Sequence, residues 1–400
     1  MKGAVMATDP PYSGTIYLDG KIITTADPTA YLSVTDVGQA ERLMFDRRLN
    51  EWKSFNAYLF NAKFDDGLAA EIRVNPEFVK PDDSSDEAAW MVAQKYAAVI
   101  GKLPTALRTQ VKTVSIHQGV QLFGGGNNNL LIHTGQADQY ERDGILEETL
   151  LHEACHTSLD EAHSSAADWI AAQEADKGTF ISTYARDNPQ REDVAESFLC
   201  YLAVRYRSAR ISEADADKIL GAIPNRIAYF DAQPLDMHPI APPLLKLLKA
   251  SASSELAEPY NGKPQTADRL VEGPNNGYCF WNSNDKGHDP TPWFSLQLEH
   301  RSVVNSLYIR WKRTHGSLGA RPMKYKVLSS LDGKRWTDTG VDQSRVRFLS
   351  ANMGVDQLLV DQLPGWPNPT QFIKVEMSES SYGRDGYFTC HYVLVRGRAL

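Results

Sequence analysis

The chain has no apolar run approaching the roughly 20 residues that a membrane-spanning helix needs,. Its first fourteen residues, MKGAVMATDPPYSG, are too poor in apolar side chains for a secretory leader, so no signal peptide is visible in this chain,. Four cysteines (155, 200, 279 and 390) among 400 residues are too few for a disulfide framework,. There is no basic excess: 42 Lys and Arg stand against 50 Asp and Glu, a net charge of −8, which argues against a nucleic-acid partner,. The glycine run Gly124–Gly126 lacks a following G-K-[ST] and does not open a helix, so it is not a phosphate loop,.

What is present fits a globular chain, with 42% apolar and 23% charged residues,. Four hundred residues exceed one ordinary core, so two domains are expected,. Charge divides accordingly. Residues 1–255 carry 24 basic and 36 acidic side chains (−12), and residues 256–400 carry 18 and 14 (+4). The run SASSELAEP reads as a linker over 251–260, leaving domains at 1–250 and 261–400,.

In the first domain, Thr15–Thr25 reads as a strand and Phe55–Phe78 as a hairpin turning at Asp65-Asp66-Gly67,. Ser84–Gly101 reads as a helix with Ala88, Met91, Val92, Tyr96 and Val99 inward,. Val111–His117 and Asn129–Thr134 read as strands. The glycine run between them is a tight turn before an exposed strand, which could hold an extended peptide,.

Gly144–Asp160 (GILEETLLHEACHTSLD) is apolar on every side except one, as a largely buried helix would be,. It contains His152-Glu153-x-x-His156, and residues at i and i+4 lie one above the other on a helix. Two imidazoles on one face can share a zinc ion, with Glu153 beside them as general base. Catalytic zinc takes three protein ligands. The metzincin pattern fails, because Leu159 and Ala162 occupy its Gly and His positions. A later helix, opened by Asn188 and Pro189, carries Glu192 and Glu196 one turn apart, with Val194, Phe198, Tyr201 and Leu202 on its apolar face,. Glu192 is favoured as third ligand over Asp160 and His163.

His152-Glu153-x-x-His156, then Thr183-Tyr184-Ala185-Arg186-Asp187-Asn188, then Glu192-x-x-Ala195-Glu196, together resemble the gluzincins, in the arrangement of the anthrax lethal factor catalytic domain. The resemblance spans about residues 110–205. It implies an α+β zincin-like metallopeptidase domain with zinc on His152, His156 and Glu192 and with Glu153 as base. It further implies that Tyr184 donates to the oxyanion and that Glu196 supports a ligand histidine.

From residue 256 the texture changes to strands: 294–298, 306–312, 323–330, 371–377 and 387–397, with a hairpin turn at Asp332-Gly333,. Regularly spaced strands without a long helix imply an all-β sandwich or jelly roll. The segments Trp281-Asn282-Ser283, Trp293–Leu298, Tyr325–Trp336 and Phe372–Glu376 resemble the discoidin, or coagulation factor V/VIII C-type, galactose-binding-like domains. That resemblance implies a module for glycans, lipid head groups or proteins, an extracellular setting, and in many members a calcium ion. Trp281, Arg313, His315, Arg321, Tyr382 and Arg384 are candidates for its binding loops. Cys279 and Cys390 stand near the two ends of this domain, as a disulfide stapling the termini or as two core thiols.

The expectation is a zinc metallopeptidase acting on a peptide or protein and targeted by its second domain. The alternative is a surface-adhesion or carbohydrate-binding protein with an inactive or structural zincin domain. Zinc hydrolysis of another amide or ester is a third reading.

Overall fold

The computed structural model describes residues 9–18, 20–80, 86–233, 235–260, 262–273, 281–283, 291–311, 322–341, 347–348, 355–359, 366–380 and 388–400. The chain divides into two compact units, one of residues 1–230 with 235–241, the other of 231–234 with 242–400. The stretch 251–260, expected as a linker, belongs to the second unit and carries strand.

The first unit is α+β. A long hairpin of β1 (Tyr31–Asp46) and β2 (Glu51–Phe64) continues into β3 (Ala69–Val74) through the Asp65–Gly67 turn. Helices α1 (Glu87–Ile100) and α2 (Thr105–Arg108) lead to β4 (Thr113–His117), β5 (Gly124–Gly126) and β6 (Asn129–His133). These six strands form one sheet in the order β1-β2-β3-β4-β6-β5. The β3-β4-β6 portion is parallel and β5 returns antiparallel as the edge strand. Strands β4 and β6 are buried from their second residue onward, with Val114, Ile116, Leu130 and Ile132 inward, as strands covered on both faces should be, whereas β3 alternates buried Ile72 and Val74 with partly exposed Glu71 and Arg73,.

Four sequence expectations change here. Residues 15–25 are not a strand, because their amides bond to carboxylates from elsewhere in the unit. The Ile16 N–H donates to Glu196 Oε2 at 3.0 Å and the Leu18 N–H to Glu148 Oε2 at 2.9 Å. The inward face of α1 consists of Ala89, Ala93, Tyr96, Ala97, Val99 and Ile100, while Met91 is 60% exposed. The exposed strand is the glycine run itself, and Asn129–His133 lies inside the sheet. A helix, α3 (Thr134–Arg142), intervenes before the histidine-bearing α4 (Leu146–Ser158).

Beyond α4 come α5 (Asp160–His163), α6 (Ala167–Ala175), α7 (Thr183–Asp187), α8 (Asp193–Tyr206), α9 (Glu213–Ala222) and α10 (Pro224–Asp231). Helix α8 is buried on every side from Asp193 to Arg205, and it packs along α4. It begins at Asp193 and not at Pro189, because residues 188–192 close a turn in which the Arg191 and Glu192 amides both donate to the Asn188 carbonyl. Glu192 therefore occupies the N-cap position of α8.

The N-terminal strap is pinned at its far end by Asp27. This carboxylate accepts from the Thr24 amide at 2.7 Å and from Arg210 Nη2 at 2.7 Å, with Arg207 Nη2 3.4 Å away. Burial would raise the Asp27 pKa, but Arg210, Thr24 and Arg207 outweigh it and hold it at about 2. A carboxyl depressed in the folded state stabilises the fold above its unfolded pKa and ceases to do so as pH falls through the folded value. Asp27→Asn should therefore cost on the order of 2 kcal/mol at neutral pH. The gap from the unmodified chain should close between about pH 4 and pH 2 in denaturant melts,. A gap constant across that range would show that the pin carries no such energy.

The second unit is all-β. Its main strands are β7 (Leu247–Ala252), β8 (Leu256–Tyr260), β9 (Lys263–Gln265), β10 (Trp281–Asn282), β11 (Trp293–Trp311), β12 (Pro322–Ser330), β13 (Thr337–Asp338), β14 (Arg347–Phe348), β15 (Val355–Leu359), β16 (Thr370–Ser380) and β17 (Thr389–Ala399). The two segments expected at 294–298 and 306–312 are one 19-residue strand. The first half of β11 pairs with β7 and β16, the second half with β15 and β17. One strand thus contributes to both layers of a jelly-roll-like sandwich. Phe294, Leu296, Leu307, Ile309, Trp311, Val327, Ile373 and Val375 fill the core between the layers.

Candidate metal centre

Helix α4 buries Leu146, Leu150, Leu151, Ala154 and Cys155 and turns His152, Glu153 and His156 toward a cleft of about 280 Å³. Three side chains converge there. His156 Nε2 lies 3.1 Å from His152 Nε2 and 3.1 Å from Glu192 Oε2, and His152 Nε2 lies 3.3 Å from the same carboxylate oxygen. A four-coordinate zinc with bonds of roughly 2.0–2.1 Å sets its donors roughly 3.3 Å apart. The triangle therefore has the edge lengths of a zinc site, and the donor set, two imidazoles and a carboxylate, suits that ion. Among the described residues this is the one cluster of three or more such side chains.

The outer nitrogen of His156 is held as a metal-ligating histidine requires, and that of His152 faces a second carboxylate without a hydrogen bond,. His156 Nδ1 lies 2.8 Å from Asp160 Oδ2, and His152 Nδ1 lies 3.4 Å from Glu196 Oε1. These partners leave both Nε2 atoms facing the cleft. Glu196 is fixed in turn by the Ser182 hydroxyl at 2.6 Å and by the Ile16 amide.

His156 holds its proton strongly, and a metal ion would have to displace it,. Burial would lower the His156 pKa, but Asp160 and Glu192 raise it to about 10. Burial would raise the Glu192 pKa, but His152 and His156 hold it far below the usual carboxylate range. Cys155 is fully buried and is not among the cleft-lining residues, and burial pushes its thiol up.

Around this centre the cleft is lined by Tyr17 from the strap, Arg47 from the β1–β2 turn, the Gly124–Gly126 strand, Tyr140, Glu153 and Tyr184. Burial and then the Glu192 charge raise the Tyr184 pKa to about 12, which keeps its hydroxyl protonated. Edge strand β5 runs directly over α4: a Cβ on Gly125 would stand 1.9 Å from the Glu153 carbonyl oxygen. Glycine is required there by close approach. The Gly126 amide is anchored to Thr157 Oγ1 at 2.9 Å.

The structure thus brings His152, Glu153, His156, Glu192 and Tyr184 into one cleft, with Glu196 behind His152. Asp160, weighed as a ligand, stands behind His156 instead. His163, the other alternative, points away, its Nδ1 2.6 Å from the Tyr229 hydroxyl. Sequence reasoning missed the supporting role of Asp160, although its i+4 spacing from His156 could have shown it. It also missed Arg47 and Tyr17, which reach the cleft from distant segments and leave no local signal.

In the second unit, Trp281 is not a ligand-binding residue on an exposed loop. It is 0% exposed, packs on Phe294 at a centroid distance of 5.4 Å, and donates from Nε1 to the Ser254 carbonyl at 3.0 Å. A large aromatic with its N–H satisfied is a core residue. Arg313, His315, Arg321, Tyr382, Arg384 and Cys279 lie outside the described residues. Cys390 is buried, with Sγ 3.5 Å from the Arg310 carbonyl.

Residues 249–388 match the model of the F5/8 type C domain family. The second unit accordingly carries an F5/8 type C, discoidin-like domain of jelly-roll type. Solved structures similar to the chain include CpGH89CBM32-5 from Clostridium perfringens, in complex with GalNAc-beta-1,3-galactose. That match is 16% identical, covers 38% of this chain and 98% of that one, and has a TM-score of 0.29. The family 32 CBM of NanJ from C. perfringens, in complex with galactose, is 18% identical, with 37% and 91% coverage and a TM-score of 0.26. The CBM32-1 and CBM32-2 domains of ZmpB from C. perfringens, in complex with GalNAc, are 12% identical, with 38% and 35% coverage and a TM-score of 0.27. No curated protein matches this chain in sequence. Among the described residues no helix is long and apolar enough to cross a membrane.

Proposed function

We propose that the chain is a zinc-dependent metallopeptidase whose F5/8 type C domain holds it at a glycosylated surface outside the cell. The observation that carries this reading is the donor triangle of His152, His156 and Glu192, with edges of 3.1–3.3 Å and a carboxylate behind each histidine. A bound zinc ion supplies Lewis-acid polarisation of the scissile carbonyl and of water. Glu153 takes the proton of the attacking water and returns it to the leaving amine. The protonated Tyr184 donates to the oxygen that becomes negative in the transition state. Strand β5 is an outer strand of the sheet among the described residues and has no side chains, so an extended peptide can add to it as a further strand,. The second domain raises the local substrate concentration by tethering, which even weak glycan binding achieves.

Metal content and cleavage of a peptide library, measured on the same samples, test the proposal. One zinc per chain is expected, lost in Glu192→Ala together with cleavage. Zinc retained in that variant rejects the ligand set. A second reading, a carbohydrate-binding protein without peptidase activity, is favoured by the family match, which falls on the second unit alone. Zinc bound without cleavage, alongside binding of the full chain to terminal galactose or GalNAc, would select it.

A further inference from the structure

Arg47 lines the cleft and forms no ion pair among the described residues. It sits at the tip of the β1–β2 hairpin beside Arg48, and the two arginines differ sharply. Arg48 is neutralised, with Nη2 2.7 Å from Asp46 Oδ2 and Nη1 2.8 Å from Glu77 Oε2. Arg47 turns the other way, into the cleft that contains His152, Glu153, His156 and Glu192. Its Nε is buried and has no hydrogen-bond partner among the described residues. Its terminal Nη2 lies 2.8 Å from where a Cβ on Gly124 would stand, so the guanidinium rests on the start of the edge strand. The absence of a side chain at Gly124 makes that position possible.

Of the three carboxylates that line the cleft, Glu192 and Asp160 are engaged by histidines, and Glu153, the proposed base, forms no ion pair with Arg47 among the described residues. Glu192 is bound by His152 and His156, with Arg191 Nε at 3.4 Å, and Asp160 is bound by His156. A guanidinium is always charged and presents five donors in a fixed fork. Leaving such a buried donor unmatched is costly. A site that keeps one beside a peptide-binding edge is built for an anion that arrives with the ligand.

We propose that Arg47 selects substrates that place a carboxylate against it, so that the chain acts on acidic peptides lying along Gly124–Gly126. This inference rests on the peptidase reading. The carboxylate comes from an Asp or Glu side chain at a fixed distance from the scissile bond, or from the peptide's own C-terminus. A charge-assisted bidentate contact of this kind corresponds to about a 10- to 100-fold preference for the acid over its amide.

The test compares matched peptides carrying Asp or Asn, and free or amidated C-termini, with the full-length zinc-loaded chain and with Arg47→Ala and Arg47→Glu. The expected result is a preference of about 10- to 100-fold for one acidic form, expressed mainly in KM. That ratio should collapse towards one in Arg47→Ala and reverse in Arg47→Glu. Dependence on the Asp/Asn pair assigns a side chain, and dependence on amidation assigns the C-terminus. Equilibrium binding of the same peptides to Glu153→Gln is measured in parallel. Cleavage with no acidic preference, or with a preference that survives Arg47→Ala, overturns the inference and leaves the peptidase reading standing. Arg47-dependent binding of acidic peptides without cleavage by the unmodified chain keeps the inference as recognition and rejects the peptidase. Neither cleavage nor Arg47-dependent binding rejects both.

Discussion

Glu153→Gln is expected to lower kcat by about 10²- to 10⁴-fold while zinc stays at one per chain and the melting temperature does not fall. The substitution keeps the size of the side chain and removes only its ability to take a proton. Both structural contacts of this residue run through its carbonyl, which accepts from Thr157 Oγ1 at 3.0 Å and lies beneath Gly125. The main chain there is unchanged by the substitution, so β5 keeps its seat. The donor triangle does not include Glu153, so metal content is expected to stay as it is. Zinc titration and steady-state kinetics on one preparation decide the matter. Undiminished kcat with zinc present would remove Glu153 as the base. Loss of zinc would mean that Glu153 belongs to the ligand set.

The parts of this site that were legible in sequence are those whose signal is local. An i, i+4 histidine pair on an apolar helix declares its own geometry. Glu192 could be found because the Asn188-Pro189 helix start puts it and Glu196 one turn apart ahead of an apolar run, but its exact station could not. The Asn188-Pro189 pair suggested a helix start, whereas the chain makes one more turn and presents Glu192 at the N-cap of α8. Other features had no local signal. Strand β1 shows little alternation because most of its residues on both faces are at least partly exposed, so no period of two is imposed,. The strap at residues 15–25 looks like a strand from Ile16, Leu18, Ile22 and Ile23. Its hydrogen-bond partners, Glu148 and Glu196, stand 130 and 180 residues away. The role of Gly124–Gly126 follows from what a Cβ would strike, namely the Glu153 backbone and the Arg47 guanidinium, and neither neighbour can be read from the run itself. Trp281 was misplaced because an aromatic near an expected loop has the same composition whether it faces solvent or the core.

Arg226→Met should destabilise the chain by about 3–5 kcal/mol, the cost of breaking a buried ion pair from one side. Arg226 is fully buried on α10. Its Nε donates to Asp193 Oδ2 at 2.7 Å, and its Nη1 donates to Asp176 Oδ2 at 3.0 Å and to the Thr179 carbonyl at 2.9 Å. Both carboxylate side chains are 0% exposed. Burial already raises the pKa of Asp176 and Asp193, and Arg226 opposes that rise. Without the guanidinium their folded-state pKa values climb further above the unfolded ones. Groups raised in this way favour the fold at low pH and disfavour it as pH rises through the folded value. The deficit of Arg226→Met should therefore be larger at pH 7 than at pH 5, and adding Asp193→Asn should recover part of it. The effect reaches the metal centre because Asp193 directly follows Glu192 at the start of α8. A network that fixes Asp193 also fixes the carboxylate at the cleft, so zinc affinity should fall in the variant under conditions where it is still folded. Equal denaturant midpoints for the variant and the unmodified chain would show that the buried network contributes no net stability. A lowered midpoint with undisturbed zinc affinity would show that Glu192 is held by the Asn188 turn alone.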